Sequence, residues 1–165
     1  ELDITLQPGF AMDVYAENIG ESGFVYPGPN AGFRFMGIRN DILYVSIPKQ
    51  GRIVALPDKD RNGKADEVIT ALSGLNNPHG FDFLGDHVYI AEENAVSRFR
   101  MQGAIADGDS VEFLFPLPAG DGHWTRTLKI HDDFMYVSIG ASCNVCYEDD
   151  DRRATILKCT LDGNC

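Results

Sequence analysis

The 165-residue sequence predicts an all-β chain of repeated four-stranded sheets, a β-propeller of about three blades, and three observations carry that reading. No segment shows a 3.6-residue apolar stripe, so nothing calls for an amphipathic helix. Short apolar runs alternate with tight acidic or glycine turns along most of the chain. One pattern of apolar run, polar turn and tyrosine-centred β run then comes three times, with Tyr44, Tyr89 and Tyr136 spaced 45 and 47 positions apart. A period in the forties made of short strands is that of propeller blades. A β-sandwich with coincidental spacing is the competing architecture.

Taken in order, Pro8-Gly9 turns into a lead-in strand over 10–16, in which Phe10, Met12, Val14 and Ala16 alternate with Ala11, Asp13 and Tyr15. The stretch 20–32, with Pro27-Gly28-Pro29-Asn30, reads as loop. The first repeat joins Phe35-Met36-Gly37-Ile38 to Leu43-Tyr44-Val45-Ser46-Ile47 through Asn40-Asp41. The second joins Gly80-Phe81-Asp82-Phe83-Leu84 to Val88-Tyr89-Ile90-Ala91 through Gly85-Asp86, and the third joins Thr127-Leu128-Lys129-Ile130 to Met135-Tyr136-Val137-Ser138-Ile139 through Asp132-Asp133. The runs 52–56, 95–99 and 154–158 supply the next strand of each, and 67–70 and 110–114 fit the outer place. At about 46 residues per blade the chain holds three, whereas closed propellers have at least four. Residues 1–165 therefore read as one half-propeller domain, closed by a second copy in a homodimer or by a missing C-terminal half.

A composition of 44% apolar and 24% charged residues is that of a globular chain, and no apolar run approaches the roughly 18–20 residues of a spanning helix. The N-terminus lacks the basic-then-apolar pattern of a signal peptide, so an export signal would already have been removed. A net charge of −11 argues against nucleic acid or an anionic membrane as partner and favours neutral sugars, alcohols and metal cations. Cys143, Cys146, Cys159 and Cys165 all fall near the C-terminus, which points to disulfides and an oxidising compartment; a zinc site using the Cys143/Cys146 spacing is the rival.

Two constellations carry chemistry. Asp58, Asp60, Asn62, Lys64 and Asp66 alternate along one loop, with Gly63 at the sixth place, where a calcium loop turns sharply. Calcium needs such converging oxygens, but the twelfth position, where a bidentate Glu belongs, is Ile69; a solvated acidic hairpin is the other reading. His79, in Asn76-Asn77-Pro78-His79-Gly80, reads as a hydrogen-bonded structural imidazole, and His87 and His131 as exposed. His123 and Arg126 lie three positions apart just before an inner strand, with Asp121-Gly122 permitting a tight approach. An imidazole there can accept a hydroxyl proton and a guanidinium can hold developing negative charge, the alternative being a structural His beside a salt-bridged Arg.

The runs Gly122-His123-Trp124-Thr125-Arg126-Thr127-Leu128, Ser138-Ile139-Gly140-Ala141-Ser142-Cys143-Asn144-Val145-Cys146 and Arg152-Arg153-Ala154-Thr155-Ile156 resemble the pyrroloquinoline quinone (PQQ)-dependent sorbosone and aldose sugar dehydrogenases, six-bladed propellers related to soluble glucose dehydrogenase. Leu6-Gln7-Pro8-Gly9-Phe10 and Asn77-Pro78-His79-Gly80 resemble that family's N-terminal half. The resemblance implies a periplasmic or secreted quinoprotein dehydrogenase that oxidises a sugar or related hydroxyl or aldehyde substrate. It implies His123 as general base, Arg126 near the quinone oxygens, and Asn144, Arg152 and Arg153 on the segment approaching the cofactor. It further implies a Cys143–Cys146 disulfide bracing that segment, while Cys159 and Cys165 are placed to staple the end of the chain. Members of that family are longer, and part of their cofactor and calcium shell comes from a second half absent here. A non-enzymatic half-propeller, a calcium-stabilised homodimeric binding or assembly module, is the alternative.

Overall fold

The computed structural model describes residues 5–17, 19, 32–120 and 122–165. Among them there is no α-helix: three antiparallel sheets follow one another along the chain, with 3₁₀ turns at Pro48–Gln50 and Gly108–Ser110. The first sheet runs β1 (Met36–Arg39), β2 (Ile42–Ile47), β3 (Arg52–Leu56), β4 (Ile69–Leu72) in sequence order. The second holds β5 (Phe81–Leu84), β6 (His87–Ala91), β7 (Ala95–Gln102), β8 (Ile105–Ala106) and β9 (Glu112–Pro116). The third holds β10 (Arg126–His131), β11 (Phe134–Ile139) and β12 (Thr155–Thr160).

A uniform four strands per sheet is thus corrected to four, five and three. The extra strand arises because β7 is eight residues long. Its first half pairs with β9, while Met101 and Gln102 run on, turn at Gly103 (φ 67°) and pair with β8.

The first two strands of each sheet are joined by two-residue turns, Arg39 pairing with Ile42, Leu84 with His87 and His131 with Phe134. The first turn residue has positive φ each time, Asn40 at 51°, Gly85 at 60° and Asp132 at 52°, the hand that matches strand twist. These turns fix the register, so Tyr44, Tyr89 and Tyr136 stand opposite Gly37, Asp82 and Lys129, each seven positions upstream.

The tyrosines show how the sheets stack. Tyr44 packs with Ile53 and Ala55 against Phe81, Val88 and Ile90 of the second sheet, its ring 4.8 Å from that of Phe83. Tyr89 does the same one sheet later, with Val96 and Phe115 against Leu128, Met135 and Val137. Burying such side chains stabilises each interface by roughly 1.5–3 kcal/mol apiece. Tyr136 lies on the far face of the third sheet, half-buried, where the Lys158 ammonium sits 6.0 Å from its ring and 3.8 Å from that of Phe134. At the opposite end of the stack Tyr15, Ala16 and Ile19 cover Val45, Ile47, Val54 and Leu56, leaving Met36 and Ile38 exposed.

The lead-in segment corrects a second expectation. Residues 10–16 form no strand, and Phe10, Met12 and Val14 are exposed. Tyr15, from the set expected to face solvent, packs inward instead, its hydroxyl donating to the Leu56 carbonyl at 3.0 Å and its carbonyl accepting from Ala65 N–H at 2.8 Å. Two anchors on one tyrosine outweigh an alternation that has no ladder to join. Most of loop 20–32, and Asp121, lie outside the described residues.

Strand direction alternates, so the loops gather at two ends. The two-residue turns and the acidic loop 57–68 share one end; residues 34–35, 48–51, 73–80, 92–94, 117–125 and 140–154 share the other. The second and third sheets are tied closely along β10: Gly80 N–H donates to Arg126 O at 2.8 Å at the loop end, and toward the turn end Asp82 Oδ2 accepts from Ile130 N–H and Lys129 Nζ, both at 2.8 Å. A Cβ at Gly80 would lie 2.4 Å from Leu128 N and 2.7 Å from Arg126 O, both backbone. Gly80→Ala is therefore expected to destabilise the protein by about 1–3 kcal/mol, read as a drop of several degrees in melting temperature.

Candidate functional site

The site is built where loop 117–125 meets the end of β11. Backbones touch there: His123 N–H donates to Ala141 O at 2.9 Å. Side chains would forbid it, because a Cβ on Gly122 (φ 87°) would fall 2.0 Å from Ser142 O and one on Gly140 2.3 Å from His123 O. Two glycines thus set the height of the imidazole above the strand ends.

Arg126 lies beneath that loop, the largest fully buried side chain of the described residues. Its Nη1 donates to His123 O at 2.8 Å and Thr125 O at 3.1 Å, and its Nη2 to Pro118 O at 2.6 Å; its Nε has no partner. No carboxylate among the described residues forms an ion pair with it. Burial, and next the charge of Arg153, lower its pKa, yet a guanidinium starts so high that it stays charged. The group expected beside quinone oxygens is engaged with the loop that carries His123.

The His123 ring is exposed, with Nε2 3.0 Å from Asn144 Oδ1. A carboxamide oxygen only accepts, so Nε2 carries the proton and the lone pair of the neutral ring is on Nδ1. Asn144 is therefore brought to His123, and both expected disulfides, Cys143–Cys146 and Cys159–Cys165, are formed; bonded cysteines leave no place for the rival zinc site. Two disulfides belong to an oxidising environment.

Arg152 and Arg153 converge on the same wall from the other side. Arg152 grips Asp150 with Nε at 2.9 Å and Nη2 at 2.7 Å and donates to Pro116 O at 3.1 Å, while Arg153 Nη2 donates to Ala119 O at 2.9 Å. The Arg152 hydrogen bonds hold the Asp150 carboxyl down to about 2. Three guanidinium groups thus surround segment 116–126 in a chain of net charge −11.

A row of rings escaped sequence reasoning. Phe35, His79 and Trp124, one from the start of each inner strand, stand 6.1 and 6.2 Å apart, with the Arg34 guanidinium 5.9 Å from the Trp124 centroid. The tyrosine spacing held the signal, since Phe35 lies nine positions before Tyr44 and His79 ten before Tyr89. His79 Nδ1 donates to Arg126 O at 3.1 Å, a structural bond. His87, expected exposed, is half-buried with Nδ1 2.7 Å from Asp86 Oδ1; His131 is exposed beside Asp132.

The acidic loop sits at the opposite end of the stack. Oxygens of Asp58, Asp60 and Asp66 come within 4.8 Å of one another. Asn62 lies in the turn of this loop, its Oδ1 accepting from Lys64 N–H and its Nδ2 donating to Asp60. Of Lys64 only the backbone N–H enters this network, and Lys59 pairs with Glu67.

Burial lowers the His79 pKa below its usual 6.5, so on acidification the unfolded chain takes up the proton first. Stability is full above about pH 6.5 and lost as pH falls toward the folded-state pKa. Melting temperatures of wild type and His79→Gln measured from about pH 8 to 5 are expected to show a steeper acid decline in wild type.

No protein-family model and no curated protein sequence matches this chain. Among solved structures it is similar to the holo form of the PQQ domain of pyranose dehydrogenase from Coprinopsis cinerea, with a TM-score of 0.67 and 18% identity over 84% of this chain and 36% of that one. It is also similar to the calcium and iodide structures of a carbohydrate-active enzyme of family AA12 from Trichoderma reesei, each with a TM-score of 0.58 and 20% identity over 68% of this chain. The chain spans about a third of the length of those structures, 30–36%. At such identities the likeness is one of fold: these stacked antiparallel sheets, with the His123 loop at one end, have the fold of part of a PQQ domain.

Proposed function

We propose that this chain is part of a quinoprotein dehydrogenase that oxidises a sugar or related hydroxyl or aldehyde substrate, with His123 as general base. One observation carries the reading: an exposed imidazole in hydrogen-bond reach of Asn144 stands over a buried guanidinium that has no carboxylate partner among the described residues, at the loop end of a fold shared with a PQQ domain. The donor set fits one side of a planar anionic quinone. Trp124 offers an aromatic face with Arg34 against it, Asn144 Nδ2 offers a donor, and the charges of Arg126, Arg152 and Arg153 favour an anion. When bound, PQQ would accept the hydride from the substrate carbon.

The chain's own residues handle the proton. His123 Nδ1 takes it from the substrate hydroxyl, and the Nε2–H bond to Asn144 Oδ1 persists as the ring becomes cationic, so no partner need reorient. Arg126 positions this base through the His123 carbonyl. Arg152 and Arg153 brace the wall beside it.

The outer faces of the stack support completion by further sheets, from a longer chain or a second copy in a homodimer. Met36 and Ile38 are 66% and 72% exposed at one end, and Ile156 is 71% exposed at the other. These faces also favour the second reading, a non-enzymatic assembly module. The disulfides support a periplasmic or secreted location. Calcium at Asp58, Asp60 and Asp66 would brace the loop between β3 and β4, far from the base.

Light scattering with and without PQQ and calcium, followed by turnover of sugars with an artificial electron acceptor, tests the proposal. The expected result is a closed assembly that takes up PQQ, with His123→Ala lowering kcat by about 10²–10⁴ while PQQ absorbance is retained. A monomer that ignores PQQ would favour the assembly module. For the acidic loop, calcium at 100 times its Kd is expected to add about 2.7 kcal/mol of stability, lost in Asp60→Asn and measured by thermal unfolding.

A further inference from the structure

We infer that Asn144 is a positioning residue for His123 and that the Cys143–Cys146 disulfide holds it in place, so that the redox state of an exposed cystine sets which imidazole nitrogen is available as base. Its catalytic meaning rests on the dehydrogenase reading above; the structural claim does not.

The two partners are anchored differently. His123 is fixed through its backbone, by Ala141 O on one side and the Arg126 guanidinium on the other. Asn144 is exposed, and its neighbours Val145 and Tyr147 are 95% and 102% exposed, so packing does not hold this loop. What holds it is the disulfide, which closes the turn with Cα atoms 6.0 Å apart, together with Ser142 N–H donating to Glu148 Oε1 at 2.9 Å. Without the cross-link the Ser142–Glu148 bond, which bypasses Asn144, and a Ser142 Oγ–Cys146 Sγ contact at 3.4 Å are what the described residues offer this loop, and the carboxamide loses its fixed approach to Nε2.

A cross-link across three positions removes little entropy from the unfolded chain, so its reduction loosens the loop and leaves the sheets folded. The first disulfide joins half-buried Cys143 to exposed Cys146, and the second joins Cys159, buried at 1%, to exposed Cys165. A dithiol reaches the first readily: its two thiolates deliver two electrons to the S–S bond, two cysteine thiols form with two protons, and the reagent leaves as its own disulfide.

The test uses the full chain labelled with ¹⁵N-histidine, without cofactor, at a pH where imidazoles are neutral. In the oxidised protein His123 is expected to show one tautomer, with Nε2 at a protonated and Nδ1 at a lone-pair shift. In Asn144→Ala, in the Cys143→Ser/Cys146→Ser double variant, and in wild type under dithiothreitol, the two shifts are expected to move toward each other and the ring's order parameter to fall. Reoxidation should restore the wild-type spectrum. Unchanged His79 signals, with their Nδ1–H tautomer, show that the fold survives; if the double variant fails that check, the dithiothreitol titration of wild type decides. His123 shifts unmoved in Asn144→Ala overturn the positioning role, and shifts moved there but unmoved on reduction overturn the part assigned to the disulfide. A failure of PQQ uptake would sink the dehydrogenase reading and leave this result standing.

Discussion

A buried guanidinium whose hydrogen bonds go to carbonyl oxygens organises the loop end of this molecule. Removing a charge from water is expensive, and Arg126 recovers only part of that through its bonds to His123, Thr125 and Pro118. An apolar residue would pack there at lower cost but would leave three carbonyls without donors. The bonds fold loop 117–125 back over the start of β10, and Gly122 and Gly140 then let that loop touch the end of β11. Height and direction of His123 follow from these contacts, and its tautomer from Asn144. The imidazole is the visible part of a device whose main component is out of sight.

The stack is governed by a simpler rule applied repeatedly. Each two-residue turn fixes its hairpin's register, the register puts a tyrosine opposite the residue seven positions earlier, and in the first two sheets that tyrosine fills the gap to the next sheet. The inner strands cannot sit far apart under this rule, which is why Gly80 must lack a side chain and why Asp82 reaches across to Ile130 and Lys129. Their starting ends converge, and Phe35, His79 and Trp124 meet there although 44 positions separate the first two.

Much of this was legible in the sequence because it is local. Turn pairs, the tyrosine period and the strands they flank depend on neighbours a few residues apart, and β1 to β3, β5 to β7, β10 and β11 lie close to where the pattern puts them. Residues 10–16 were misread because alternation reports which side chains are apolar, not whether a ladder exists to receive them; the Tyr15 hydroxyl found Leu56 instead. The site was half legible. The motif singles out His123 and Asn144, but that the two meet, and that Arg126 turns to three carbonyls of which Pro118 is eight residues away, no spacing rule encodes.

Lys158 gives the third sheet a property of its own. Its ammonium sits over Phe134 and near Tyr136, in the middle of a face that also bears exposed Ile156. A charge so placed keeps the sheet wetted and discourages indiscriminate sticking, in the manner of the gatekeeper residues that flank hydrophobic strands. Only a partner able to rehouse the ammonium, with a carboxylate or a path to water, can cover that surface.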